Sequence, residues 1–211
     1  MQFIDWLRRV EMINRYFVID DFYNDPDRLV EAALNAQRDG ASRGNYAGVM
    51  TKESFLSADQ RDFFEKLLQQ APINASTELN GKIRFSKLGD PYTQHIHFDA
   101  GNTHWSGVVY LSKEHPKVDG TTFWKHLRTG LEEIPRTLEG AHAAGFTTPE
   151  KVQRFLQVDG VDESLWEKTL SIPYKYNRLV LFRPWMFHSP GPQFGESLES
   201  SRKVQTLFLG A

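Results

Sequence analysis

The stretch His95-Ile96-His97-Phe98-Asp99 sets two imidazoles and a carboxylate at alternate positions. Alternate side chains of an extended strand leave the same face, about 7 Å apart along the chain. In that geometry His97 and Asp99 offer one nitrogen and one oxygen to a single metal ion without the backbone crossing between them. A second imidazole, from His188, completes two His and one carboxylate on one side of the ion. Such a set leaves coordination positions open on the other side, as non-heme Fe(II) needs when it takes a substrate and dioxygen together. His95 shares the strand face, so His95 and His97 are a second way to supply the two imidazoles; otherwise His95 orients a ligand from behind.

A His beside an Asp is by itself a common surface pair, and three further features raise its significance. His188 lies in Phe187-His188-Ser189-Pro190-Gly191, just after a strand pattern and a turn at Pro184. Arg202 opens the last strand pattern, and Asp119-Gly120-Thr121-Thr122-Phe123 enters a strand from a turn. Together these stretches resemble the Fe(II)- and 2-oxoglutarate-dependent dioxygenases, nearest to the prolyl-4-hydroxylase-like branch. They also resemble a group of bacterial proteins assigned to that superfamily without a defined substrate. The family pattern of His-x-Asp, a distal His and a basic residue on the next strand is matched in order by His97-Phe98-Asp99, His188 and Arg202. Gly120-Thr121-Thr122-Phe123 resembles the family's Gly-Gly-Thr-Phe/Leu strand with Asp119 in place of the first Gly. Tyr110, in Val108-Val109-Tyr110-Leu111, resembles a Tyr that hydrogen-bonds the co-substrate carboxylate.

The resemblance implies a double-stranded β-helix (jelly-roll) fold, mainly β with flanking helices. It implies Fe(II) on His97, Asp99 and His188, and 2-oxoglutarate gripped by Arg202 with help from Tyr110. Arg suits the far carboxylate because its planar fork pairs with both oxygens. The implied reaction uses dioxygen, releases succinate and CO2, and is stimulated by ascorbate. Asp99 at the carboxylate position favours hydroxylation over halogenation. The substrate, a small molecule or a peptide, is not identified. The competing reading is a cupin-type metal protein that holds zinc or manganese and does no 2-oxoglutarate chemistry. A third is a catalytically inactive interaction domain.

The elements that must position these residues follow from periodicity. Phe3, Ile4, Leu7, Val10 and Ile13 predict a short amphipathic helix, and Phe17-Val18-Ile19 a strand. Asn24-Asp25-Pro26 caps a helix over about Asp27–Gln37, and Ser57-Ala58-Asp59-Gln60 opens one through Gln70, with Phe63, Phe64, Leu67 and Leu68 inward. From Leu79 the period changes to two. Strands are expected around Ile83–Phe85 and over Gln94–Asp99, Ser106–Ser112, Thr121–Trp124, Arg178–Arg183 and Val204–Leu209. Helical spacing returns in Gly130–Leu138, Pro149–Gln157 and Asp162–Thr169. The chain therefore reads as one domain over residues 1–211. It comprises a helical flank (1–78), a β core (79–125 and 172–211) and a helical insert (126–171) that acts as a lid or as packing. His104, Trp105, Trp124 and His126 are pocket-mouth candidates with packing as their default. Lys82 and Arg84 suit an acidic substrate, but a solvated strand face is their default.

Composition agrees with a globular domain. The chain has 211 residues, 40% hydrophobic and 25% charged, and a formal net charge of −2. That charge gives no basic surface for nucleic acid. The absence of Cys excludes disulfides and thiolate zinc sites and makes a cytoplasmic location the simplest expectation. The apolar run in Met1–Val10 is short and charged, unlike a secretory signal, and no stretch is long enough for a transmembrane helix. Oligomeric state is not legible.

Overall fold

The computed structural model describes residues 14–39, 47–69, 74–75, 78–91, 95–99 and 103–210. The helix expected over 3–13 lies outside them. The strands are β1 (Tyr16–Ile19), β2 (Val49–Met50), β3 (Asn74–Ala75), β4 (Ile83–Ser86), β5 (Trp105–Tyr110), β6 (Asp119–His126), β7 (Trp166–Pro173), β8 (Leu179–Phe182), β9 (His188–Pro190) and β10 (Arg202–Gly210). Seven form one sheet in the order β1-β8-β5-β10-β4-β2, with β3 also on β10, and three form a second in the order β7-β6-β9. Neighbouring strands pair antiparallel. The protein is thus mainly β with flanking helices around a jelly-roll core. No helix of the described residues is long and apolar enough to cross a membrane.

Strand alternation divides the large sheet into two faces with different duties. Ile83, Phe85, Trp105, Val109, Leu179, Leu181, Leu207 and Leu209 point to one side. Two helices cover them: α1 (Pro26–Asn35) and α2 (Ala58–Leu68), which contribute Ala33 and Phe64 to the same cluster. α1 starts where Asp25 accepts from the Arg28 N–H and Pro26 fills the first turn. α2 starts on a reciprocal cap: the Gln60 N–H donates to Ser57 Oγ (3.3 Å) and the Ser57 N–H to Gln60 Oε1 (2.7 Å). Phe64 is fully buried, whereas Phe63 is 37% exposed rather than inward.

On the other side of the large sheet, Tyr110, Val180, Phe182 and Val204 meet Phe123 and Ile172 of the small sheet. The space between the sheets holds the functional cavity. The small sheet's outer face is closed by Phe155 and Leu156 packing with Ile96, Trp124, Trp166 and Phe187. Those two residues belong to α4 (Pro149–Val158), which follows a short α3 (Leu138–Ala143).

Three elements differ from expectation. The helix expected over Asp162–Thr169 is a short 3-10 turn, Glu163–Leu165, running into β7. The reason is a double irregularity in the ladder. Phe123 pairs with Leu170 and Trp124 with Lys168, so Thr169 is an extra residue, and Gly120 is extra on the opposite strand. A bulge re-aims one strand face, so this strand lacks the unbroken alternation by which a strand is recognised. Over Gly130–Leu138 the chain is not helical until Leu138; the Ile134 N–H donates to the Trp185 carbonyl instead. Within 95–99 only His97 makes a bridge, to His188, so the expected strand is reduced to one pairing. Phe64→Ala should lower stability by about 3–5 kcal/mol, the cost of removing a fully buried aromatic ring. Urea unfolding followed by circular dichroism measures it.

Candidate metal centre

Backbone hydrogen bonds bring the two sequence-distant halves of the site together. The His97 N–H donates to the His188 carbonyl (2.9 Å), and the His188 N–H donates back to the His97 carbonyl (2.8 Å). Two residues on, the Asp99 N–H donates to the Pro184 carbonyl (2.8 Å). Ligand atoms of His97, Asp99 and His188 consequently all lie within 4.8 Å of one another. Nε2 of His97 is 3.8 Å from Asp99 Oδ1, and Nε2 of His188 is 3.6 Å from Asp99 Oδ2. These gaps are too long for hydrogen bonds. They match donors sharing one ion, which are about 3–4 Å apart when each bond is about 2.1 Å.

The protonation states suit that use. Nδ1 of His188 lies 2.8 Å from the Met186 carbonyl and Nδ1 of His97 lies 3.3 Å from the His95 carbonyl. A carbonyl only accepts, so each Nδ1 is the donor and each Nε2 is the nitrogen turned toward Asp99. His97 is 2% exposed, and that burial, reinforced by His188, depresses its pKa to about 4. The ring is neutral at physiological pH, as a metal ligand must be. Two imidazoles and one carboxylate fit a divalent ion that accepts nitrogen and oxygen together.

The triad opens on a cavity whose wall includes Arg84, Thr121, Phe182, Ser189, Arg202 and Phe208. Arg202 is 4% exposed. No described residue gives its guanidinium a hydrogen bond or an ion pair, and its Nε is buried without a partner. Burial works against its charge, lowering its pKa; Tyr174 and Tyr110 offset this only in part. A buried cation without a counter-charge costs several kcal/mol unless something anionic arrives. Tyr110 Oη shares a hydrogen bond with Thr121 Oγ1 (2.8 Å), and burial pushes the phenol pKa up to about 12. Of the two, Thr121 lines the cavity. Gly120 is required behind them, since a Cβ there would lie 2.4 Å from Tyr110 Oη.

His95 turns elsewhere: its Nε2 is 2.5 Å from Glu163 Oε1. Trp105 is buried in the helix-covered core, and Trp124 and His126 are buried around the small sheet's outer face. His104 is exposed, and none of the four lines the cavity. Arg84, which suits an acidic substrate by its sequence but is expected on a solvated strand face, is placed otherwise. It is buried rather than solvated, lines the cavity, and donates to the Ala47 carbonyl and Met50 Sδ. The available signal was its alternation with Ile83 and Phe85, which puts it on the face opposite the core.

A family model described as "Family of unknown function (DUF6445)" matches residues 7–203. The chain belongs to that family. No curated protein matches the sequence. Among solved structures, Escherichia coli ycfD aligns over 100% of this chain and 53% of its own, at 13% identity and a TM-score of 0.43. YcfD described as a ribosomal oxygenase in complex with cobalt and 2-oxoglutarate aligns over 100% of this chain and 52% of its own, at 14% identity and a TM-score of 0.40. The form with cobalt and succinic acid gives 12%, with the same coverage and TM-score. The DUF6445 chain spans about half the length of those proteins, and a likeness this distant carries no argument about its reaction.

Arg202→Met should stabilise the ligand-free protein by roughly 1–3 kcal/mol, the scale of one unpaired buried polar group. A lower thermal midpoint in the variant would show that Arg202 serves the fold rather than a ligand.

Proposed function

We propose that this chain is an Fe(II)- and 2-oxoglutarate-dependent oxygenase that hydroxylates a small molecule or a peptide. The observation that carries the reading is Arg202, a buried guanidinium with no ion-pair partner among the described residues, in the same cavity as a His-Asp-His donor set. His97, Asp99 and His188 would hold the iron. Arg202 would take the far carboxylate of 2-oxoglutarate, both oxygens meeting its planar fork. Arg84 is the weaker candidate for that task, because its guanidinium already donates to Ala47 and Met50. Tyr110 would act through Thr121, whose hydroxyl it orients from behind.

When bound, iron with its co-substrate supplies the oxidation itself; the protein supplies position and a dry site. Val108, Phe182, Pro190, Val204 and Phe208 line the wall and keep water out. The two carbonyls behind the imidazoles orient each ring with its Nε2 toward the site. The prolyl-4-hydroxylase-like branch and a stimulatory effect of ascorbate are finer expectations from the same resemblance.

The test is succinate release from 2-oxoglutarate under air with Fe(II) and ascorbate. Wild type should turn over slowly even without its prime substrate, and His97→Ala should not. Arg202→Ala should raise KM for 2-oxoglutarate at least tenfold, about 1.4 kcal/mol. If Arg202→Ala turns over like wild type, Arg202 is not the co-substrate cation. If wild type binds zinc or manganese but neither binds nor consumes 2-oxoglutarate, the cupin-type reading replaces this one.

A further inference from the structure

The 95–99 segment carries two of the three candidate ligands but belongs to no strand, so something other than a β-ladder must hold it. Two of its ties come from the chain leading to His188: the paired bonds between His97 and His188, and the Asp99 N–H to Pro184. The third comes from the opposite side, where the Ile96 N–H donates 2.8 Å to the Gly160 carbonyl. Gly160 sits in a 3-10 turn, Asp159–Val161, that is itself pinned. The Asp159 carbonyl accepts from Trp166 Nε1 (2.7 Å), and its carboxylate accepts from Arg128 (2.7 Å) and faces His126 Nε2 (3.2 Å). A few residues on, Glu163 Oε1 meets His95 Nε2 at 2.5 Å.

Contact at Gly160 is close enough to be exclusive. A Cβ there would stand 2.5 Å from the Ile96 carbonyl oxygen, closer than atoms can pack. Beside it, Ile96 is fully buried among Phe155, Leu156, Trp166 and Phe187. A lid is built of weakly packed, readily opened structure. This segment is the reverse.

We infer that residues 149–165 are a brace for the metal centre, and that Gly160 and Glu163 are positioning residues holding His95–Asp99 at ligand distance from His188. This rests on the metal-centre reading above. Without the brace, the 95–99 segment can pivot on the His97–His188 pairing. His97 is then the ligand most affected, because it adjoins the freed residues 95 and 96, whereas Asp99 keeps its backbone tie to Pro184.

The experiment is Co(II) binding to the full chain, read by visible absorption and by competition with a chromophoric chelator. Gly160→Ala should weaken Co(II) binding tenfold or more, in the range seen when groups behind metal ligands are removed. Glu163→Ala should weaken it about threefold, as befits a half-exposed partner, and should leave the metal-free melting temperature unchanged. Glu163→Gln should restore wild-type affinity, because its amide can still hydrogen-bond the His95 ring. Gly160→Ala and Glu163→Ala should each alter the Co(II) absorption envelope. If these two bind Co(II) like wild type, the brace is wrong. If Gly160→Ala does not fold, the Glu163 pair decides alone: Ala equal to Gln overturns the inference. If wild type takes up no Co(II), the metal-centre reading falls, and this inference with it.

Discussion

The reciprocal backbone pairing of His97 with His188 is the contact on which the site depends. It joins residues far apart in the chain, and it does so with main-chain atoms, so the side chains stay available for chemistry. Each imidazole then turns its Nδ1 back onto a nearby carbonyl and its Nε2 toward Asp99. The same short stretch of β9 also pairs with β6, placing His188 opposite Phe123. The small sheet therefore anchors the distal imidazole, while the 95–99 segment is hung from it.

The second constraint is electrostatic. A sandwich interior is a costly place for a guanidinium with no ion-pair partner among the described residues, yet β10 delivers Arg202 there, on the face shared with Val204, Thr206 and Phe208. The opposite face of the same strand is spent on Leu207 and Leu209 in the helix-covered core. One strand thus divides its residues between the helix-covered core and the candidate site. The helices α1 and α2 buy enough apolar burial on one face for the other to remain polar and unsatisfied. Gly120 extends the same logic: its missing side chain leaves the room in which Tyr110 reaches Thr121.

How far this was legible in the sequence follows from the range of each interaction. His97, Asp99, His188 and Arg202 stand out because their chemistry is written in residue type and in spacings that a strand translates directly. The caps at Asp25 and Ser57 are equally local, and both form. β7 was hidden because the bulge at Thr169 breaks the period of two on which strand recognition relies. Arg84 was legible as a candidate for an acidic substrate, but its burial was not, because it meets β2, a two-residue strand too short to carry a pattern. The role of 149–165 was hidden for another reason. Its hydrophobic spacing announces a packed helix, but nothing local announces that the turn after the helix will meet Ile96.

That turn bears on why the ligand segment is not a strand at all. A full ladder would fix residues 95–99 to one neighbour in one register, with alternate side chains forced to opposite faces. Instead His97 is paired to β9, Ile96 to Gly160 and Asp99 to Pro184, three different partners for three positions. Such a segment can set its two ligand side chains independently of sheet twist, at the cost of losing ladder cooperativity. The loss has to be offset by buried contacts, and Ile96 supplies them by plugging into the aromatic cluster of Phe155, Trp166 and Phe187. Stability of the insert and geometry of the site are then coupled through one side chain, Ile96, which faces away from the candidate metal centre.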